Sequence, residues 1–145
     1  MKSNMKNVGM DIKEKLSLLW IFLLFNYLYC DYLGMFDAGI LAEIMGGTVG
    51  GMVIGPMFLI SAAIFMEIPI AMILLSRFLK RRVNRVFNIV AGLIMIAGQL
   101  GSLFVGEPAL YYSVYSVLEV LTLVYIVWVA WSWPQNGMTL VGPKR

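Results

Sequence analysis

Four apolar runs dominate the chain: Leu16 to about Leu33, about Met52 to Leu79, about Val86 to Val105, and about Ala109 to Trp133. Crossing the ~30 Å hydrocarbon core of a bilayer takes about 20 helical residues, a length all four runs approach or exceed. A spanning segment must satisfy its backbone hydrogen bonds internally, so runs of this length are read as helices. The composition agrees. Of 145 residues, 61% are hydrophobic. The mean hydropathy is +0.85, too apolar for a soluble domain of this size. The expected fold is all-α, a single integral membrane domain over 1–145 that forms a four-transmembrane-helix antiparallel bundle. Its helices are expected near 12–33, 52–79, 84–105 and 109–133, and short connections make consecutive helices antiparallel neighbours. Residues 1–11 and 135–145 read as flexible tails.

Charge sets the expected orientation. Lys2, Lys6, Lys13 and Lys15 precede the first run. Arg77, Lys80, Arg81, Arg82 and Arg85 surround the turn between the second and third, and Lys144 and Arg145 come last. The other two connections carry no basic residue. This is the positive-inside pattern of a multi-pass protein of the cell membrane with both termini cytoplasmic. The start, MKSNMKNVGMDIKEK, is polar and the first run has no small-residue cleavage site, so that run reads as a retained helix and not a signal peptide. Arg77, Lys80, Arg81, Arg82 and Arg85 are placed to contact anionic lipid head groups. The bilayer is the expected partner. The same clustering argues against nucleic-acid binding, although the net charge is +3. Trp20, Trp128, Trp131 and Trp133 are expected at the inner interface, and Tyr29, Tyr32, Tyr111 and Tyr112 gather at the outer helix ends.

The longest connection, Gly34 to Gly51, has room for a short interfacial helix at the outer surface. Its centre reads DAGILAEIM, with Asp37 as N-cap. GGTVGG then reads as a flexible lead into the second helix. The segment is either a plain connector or a lid over an outward-facing cavity.

Two glutamates interrupt the apolar runs. Glu67 and Glu119 both fall near the middle of the bilayer, where an acidic residue costs roughly 2.5 to 3.5 kcal/mol on insertion scales. No lysine or arginine lies at a matching depth. Three solutions are open: each carboxyl holds its proton, the two share one proton, or they bind a cation. Polar residues at helical spacing surround them. Tyr112, Tyr115, Ser116, Glu119 and Thr122 share one face, as do Asn88, Gly92, Met95, Gln99 and Ser102. Asn26 and Tyr29 share a face of the first helix, with Asp31 nearer its outer end. Ala63 and Ala71 flank Glu67 one turn to either side, so another backbone can approach it closely. If these faces all point inward, Glu67, Glu119, Gln99, Asn26, Asp31, Tyr112 and Tyr115 line a polar pocket open to the outside. Pro69 donates no backbone hydrogen bond and crowds the carbonyl of Phe65, so it is expected to kink the helix beside Glu67. The plainer reading is a kink for packing.

Cofactor chemistry finds little support. Cys30 is the single cysteine, which excludes an internal disulfide, and there is no histidine. The usual zinc and haem ligand sets are missing, so neither metal nor cofactor is expected. Cys30 reads as a buried small apolar residue or as a thiol near the outer surface. The 11 methionines read as lipid-facing filler.

Three segments carry a family resemblance: LWIFLLFNYLYCDYLGM, MEIPIAMILLSRFLKRRVNRVFNIVAG and LYYSVYSVLEVL. They resemble a family of small four-helix prokaryotic membrane proteins known only as a domain of unknown function. The resemblance runs from about Lys15 to Trp133, with Asn26, Asp31, Glu67, Pro69, Asn84, Arg85 and Glu119 at positions matching the pattern. It implies a four-helix membrane fold and no established activity. In size and topology the chain is also similar to DoxX-like proteins, a likeness that does not fix function. Asn84 is expected to cap the third helix and Arg85 to anchor it at the interface.

Three functions compete. The first is a module that binds or transports a small cation, a proton or a lipophilic compound, as a homo-oligomer because four helices are few for a transporter. The second is a membrane redox or enzyme subunit acting on a quinone or lipid, with Glu67 or Glu119 as acid or base. The third is an accessory subunit whose glutamates bond a partner protein.

Overall fold

Each apolar run folds as one long helix: α1 Ile12–Gly34, α3 Pro56–Phe78, α4 Arg81–Ser102 and α5 Leu110–Trp131. A short helix α2, Ala38–Met45, lies between the first two. The computed structural model describes residues 10–104 and 109–134. The expectations for nearly all of both tails, with Lys2, Lys6, Lys144 and Arg145, lie outside the described residues, as does Val105. At 1.5 Å per residue, 22 or 23 residues reach about 33 Å, a match to the bilayer core. All four long helices are apolar enough to cross a membrane. The architecture is an all-α bundle of the multi-pass membrane kind.

Two boundaries differ from expectation for local reasons. α3 begins at Pro56, not Met52, because proline favours the first helical turn, where its missing N–H is not needed. α4 begins at Arg81, with Lys80 as its N-cap, three residues before the expected start. α3 continues through Pro69 to Phe78. The 38–45 helix forms as expected, and the Asp37 carboxylate accepts from the backbone N–H of Gly39 and Ile40 at 2.9 and 3.3 Å. GGTVGG is not a loose lead. Thr48–Val49 and Met52–Val53 pair antiparallel across Gly50 and Gly51, whose positive φ of 54° and 79° suits a two-residue hairpin turn. The Glu43 carboxylate accepts from Gly50 N–H at 2.9 Å and ties this hairpin to α2.

The bundle is antiparallel. α1 packs against α3 and α5, α5 packs against α4, and the α3–α4 seam is the lightest. The core takes Leu16, Trp20, Leu23 and Tyr27 from α1, Met72 from α3, Ala91 and Met95 from α4, and Leu123, Ile126 and Val129 from α5. On α1 these fall at alternating steps of four and three, which keeps them on one stripe. Gly92 lets α4 approach α5: a Cβ there would lie 2.6 Å from Val127 Cγ2. Gly98 gives the Phe65 ring of α3 its place against α4.

Near the basic turn a buried hydrogen-bond network joins three helices. Asn88 Oδ1 accepts from Trp20 Nε1 at 2.7 Å and from Ser76 Oγ at 3.3 Å. Asn88 Nδ2 donates to the carbonyl and the side-chain oxygen of Asn84, and Asn84 Nδ2 donates to the Ser76 carbonyl at 2.6 Å. Beside it Ser17 Oγ donates to the Ile73 carbonyl and accepts from Arg77 Nε. Two expectations are corrected here. Trp20 is fully buried and bonded, not an interfacial anchor. Asn84 does not cap its own helix; it lies inside α4 and closes a carbonyl near the end of α3.

Asn88→Leu should strand the Trp20 N–H and the Asn84 Oδ1 and lower stability by ~1–3 kcal/mol, read by chemical denaturation in mild detergent. Gly92→Val should cost a similar ~1–3 kcal/mol through overlap with α5. Gly101→Ala, with nothing within 4 Å of the new Cβ, should be neutral or slightly stabilising in the same assay.

Candidate functional site

The half of the bundle away from the basic turn holds a cavity of about 140 Å³. α1 contributes Tyr27, Cys30 and Asp31; α3 contributes Phe65 and Met66. α4 contributes Gly98, Gln99 and Ser102; α5 contributes Tyr112 and Glu119. The chain builds this wall from inward stripes. Tyr27 and Cys30 continue the Trp20–Leu23 stripe of α1, and Gln99 continues the Asn88–Met95 stripe of α4. On α5, Ser116 and Glu119 lead the stripe that continues through Leu123 and Ile126 to Val129.

A chain of hydrogen bonds fixes one side. Tyr112 OH donates to Ser102 Oγ at 2.6 Å, and Ser102 Oγ donates to the Gln99 carbonyl at 2.7 Å. Gln99 Nε2 donates to Ser116 Oγ at 2.9 Å. The other side is unsatisfied. Glu119 is 1% exposed, and its Oε1 has no hydrogen-bond partner. The Tyr27 hydroxyl is likewise buried without a partner. Among the described residues these are the two buried side-chain polar atoms so left. Buried polar groups nearly always find partners, so two such orphans on one cavity are unusual.

The expected site residues divide. Glu119, Gln99, Asp31 and Tyr112 come together at the cavity. Glu67 does not join them: it is exposed on the outer face of α3. The inward positions of α3 are Pro69, Met72 and Ser76. At 100° per residue Glu67 lies about 200° round the helix from Pro69 and so points away. Its immediate predecessors, Phe65 and Met66, face the cavity instead. The buried Pro69 therefore stands on the side of α3 opposite Glu67, and neither lines the cavity. Asn26 turns back on its own helix, donating to the Phe22 carbonyl at 2.8 Å. Tyr115 is half-buried beside the stripe and outside the lining. The carboxyl that accompanies Glu119 is Asp31, at an exposed position on the cavity wall.

Tyr27 was not among the sequence candidates. Its signal was position: the 16–20–23–27–30–34 spacing marks the buried face of α1. Cys30 is buried on the same cavity. Among the described residues no group of three His, Cys, Asp or Glu side chains is arranged to hold a metal ion. None of the residues of α2 or the hairpin lines the cavity.

A second concavity, about 850 Å³, lies at the basic end between α4 and α5. Lys80, Arg81, Arg82 and Arg85 line it with Trp131. The Arg85 guanidinium sits 5.5 Å from the Trp131 ring centroid. Arg77 is separate and bonds Ser17.

The fold and cavity define a four-span membrane protein with an acidic, tyrosine-lined pocket between its helices. The chain belongs to the family of unknown function DUF6326, whose family model matches residues 5–140. Neither the curated proteins nor the solved structures contain a significant match.

Tyr27→Phe removes an unpartnered hydroxyl and should leave the melting temperature of the ligand-free protein unchanged or raised. Gln99→Leu strands Ser116 Oγ and should lower stability by ~1 kcal/mol. Scanning fluorimetry in detergent distinguishes the two.

Proposed function

We propose that this protein binds a small cation at the cavity around Glu119. The observation that carries the reading is the buried, unpartnered Glu119 Oε1 facing a space with the equally unpartnered Tyr27 hydroxyl. A second carboxyl, Asp31, lines the same space, and no lysine or arginine does. An acceptor-rich cavity without a counter-ion attracts positive charge. Size narrows the ligand. Drug-sized compounds occupy pockets of roughly 300–1,000 Å³, so 140 Å³ suits a partly hydrated inorganic ion or a compact organic cation better than a large lipophilic one. Passage farther along the bundle is closed by Trp20, Leu23, Met95 and Leu123, each fully buried. Binding is thus the core of the reading, and transport would need that plug to open.

The orientation proposed has the basic turn in the cytoplasm and the cavity in the outer half of a plasma-membrane protein. Lys13, Lys15, Arg77, Lys80, Arg81, Arg82 and Arg85 support it by falling at one end of the antiparallel bundle. The basic groove at Trp131 would then meet anionic lipid head groups.

The test is a thermal-shift series in detergent at constant ionic strength with sodium, potassium, ammonium, methylammonium and guanidinium as probes. A ligand at 100 times its Kd stabilises by about 2.7 kcal/mol. At least one probe should raise the melting temperature of the natural protein, and Glu119→Gln should abolish that rise. Equal shifts in both proteins, or none in either, would overturn the reading.

A further inference from the structure

We propose that the outer face of α3 is a self-association surface, on which Glu67 of one copy hydrogen-bonds Glu67 of a second copy. The inference is independent of the cavity reading.

α3 is the least covered of the four spans. Only 11% of its span residues are buried, against 33% in each of the others. Its exposed side runs through Ile60, Ala63, Ile64, Glu67 and Leu74. Apolar positions on such a face are at ease in lipid. Glu67 is not. It stands midway along Pro56–Phe78, at the depth where hydrocarbon is thickest and offers no donor. No salt bridge or side-chain hydrogen bond of the chain reaches it among the described residues, and it is not near enough to either helix end to reach head groups. A carboxyl so placed needs a polar cover that the monomer does not supply.

A second copy supplies it by symmetry. Copies inserted with one orientation meet about an axis along the membrane normal, so a face on α3 meets the same face at the same depth. Glu67 then opposes Glu67. Two carboxyls that share a proton, or both hold one, are donor and acceptor to each other and need no counter-ion. Ala63 and Ala71, one turn to either side, keep side-chain bulk away from the crossing and let the backbones approach. The apolar groove between α3 and α4 is continuous with this face through Ala71 and Ile68. It measures about 300 Å³ and can receive apolar side chains of the partner.

The test uses the full chain in liposomes. Förster transfer between donor- and acceptor-labelled copies is followed as lipid dilutes the protein, and cysteine cross-linking reports the face. Ala63→Cys in a Cys30→Ser background should cross-link to itself, whereas Leu121→Cys, on the exposed side of α5, should not. Glu67→Leu should weaken association about tenfold, equivalent to ~1.4 kcal/mol, whereas Glu67→Gln, still donor and acceptor, should stay near the natural value. Glu67 is exposed, so these variants leave the monomer core untouched. Three results would each overturn the proposal: a monomer at every dilution, cross-linking at position 121 in place of 63, or unaltered association of Glu67→Leu. A cover supplied by a different protein would show itself as the first of these.

Discussion

Asn88 sets the terms for the rest of the bundle. In hydrocarbon an amide with unmet hydrogen bonds is costly, and this one is fully buried. It is tolerable because its oxygen takes protons from Trp20 and Ser76 while its nitrogen donates to Asn84. Those partners sit on α1, α3 and α4, so meeting the needs of one side chain fixes the relative height and rotation of three helices. Apolar packing alone specifies register weakly inside a membrane, since lipid tails are as apolar as leucine. Once α1 and α4 are locked near the basic turn, the stripes that continue from Trp20 to Tyr27 and from Asn88 to Gln99 arrive together at the other end. The cavity is the consequence of that convergence.

Glu67 and Glu119, both midway along long apolar helices, stand in opposite settings. Glu119 is withdrawn into the bundle, among tyrosines, a glutamine and a second carboxyl. Glu67 is turned outward, where none of the described residues bonds its side chain. A chain that placed both inward would have a paired acidic site with little room to hydrate it. Splitting them separates the carboxyl at the cavity from the one on the exposed side of α3.

Much of the fold was legible because hydrophobic run length and the bilayer thickness constrain each other, and because basic residues cluster around one turn. The α4 stripe from Asn88 to Gln99 was legible too, since small and polar residues stand out on a helix whose other side is apolar. α1 and α3 were not. Both of their faces are apolar, so periodicity does not say which side turns inward, and the polar residues Asn26 and Glu67 were natural but misleading guides to the interior. Tyr27 was overlooked for the same reason in reverse: among leucines and phenylalanines a tyrosine at a core position carries no polar pattern. The hairpin at 48–53 was hidden by its glycines, which read as looseness although Gly50 and Gly51 supply the left-handed backbone that a tight turn requires.

α3 links these themes. Phe65 and Met66 form cavity wall, and Glu67 is the next residue, on the opposite side of the same turn. Two residues farther on, Pro69 deprives the Phe65 carbonyl of its helical donor. The weakest point of the α3 backbone therefore lies between the cavity wall and the exposed carboxyl. α3 also has the lightest seam with α4, held at cavity level by the Phe65 ring seated on Gly98. This stretch of α3 is locally short of one hydrogen bond and thinly braced. α3 thus carries the aromatic wall of the cavity and the outward carboxyl on opposite sides of a single turn of helix.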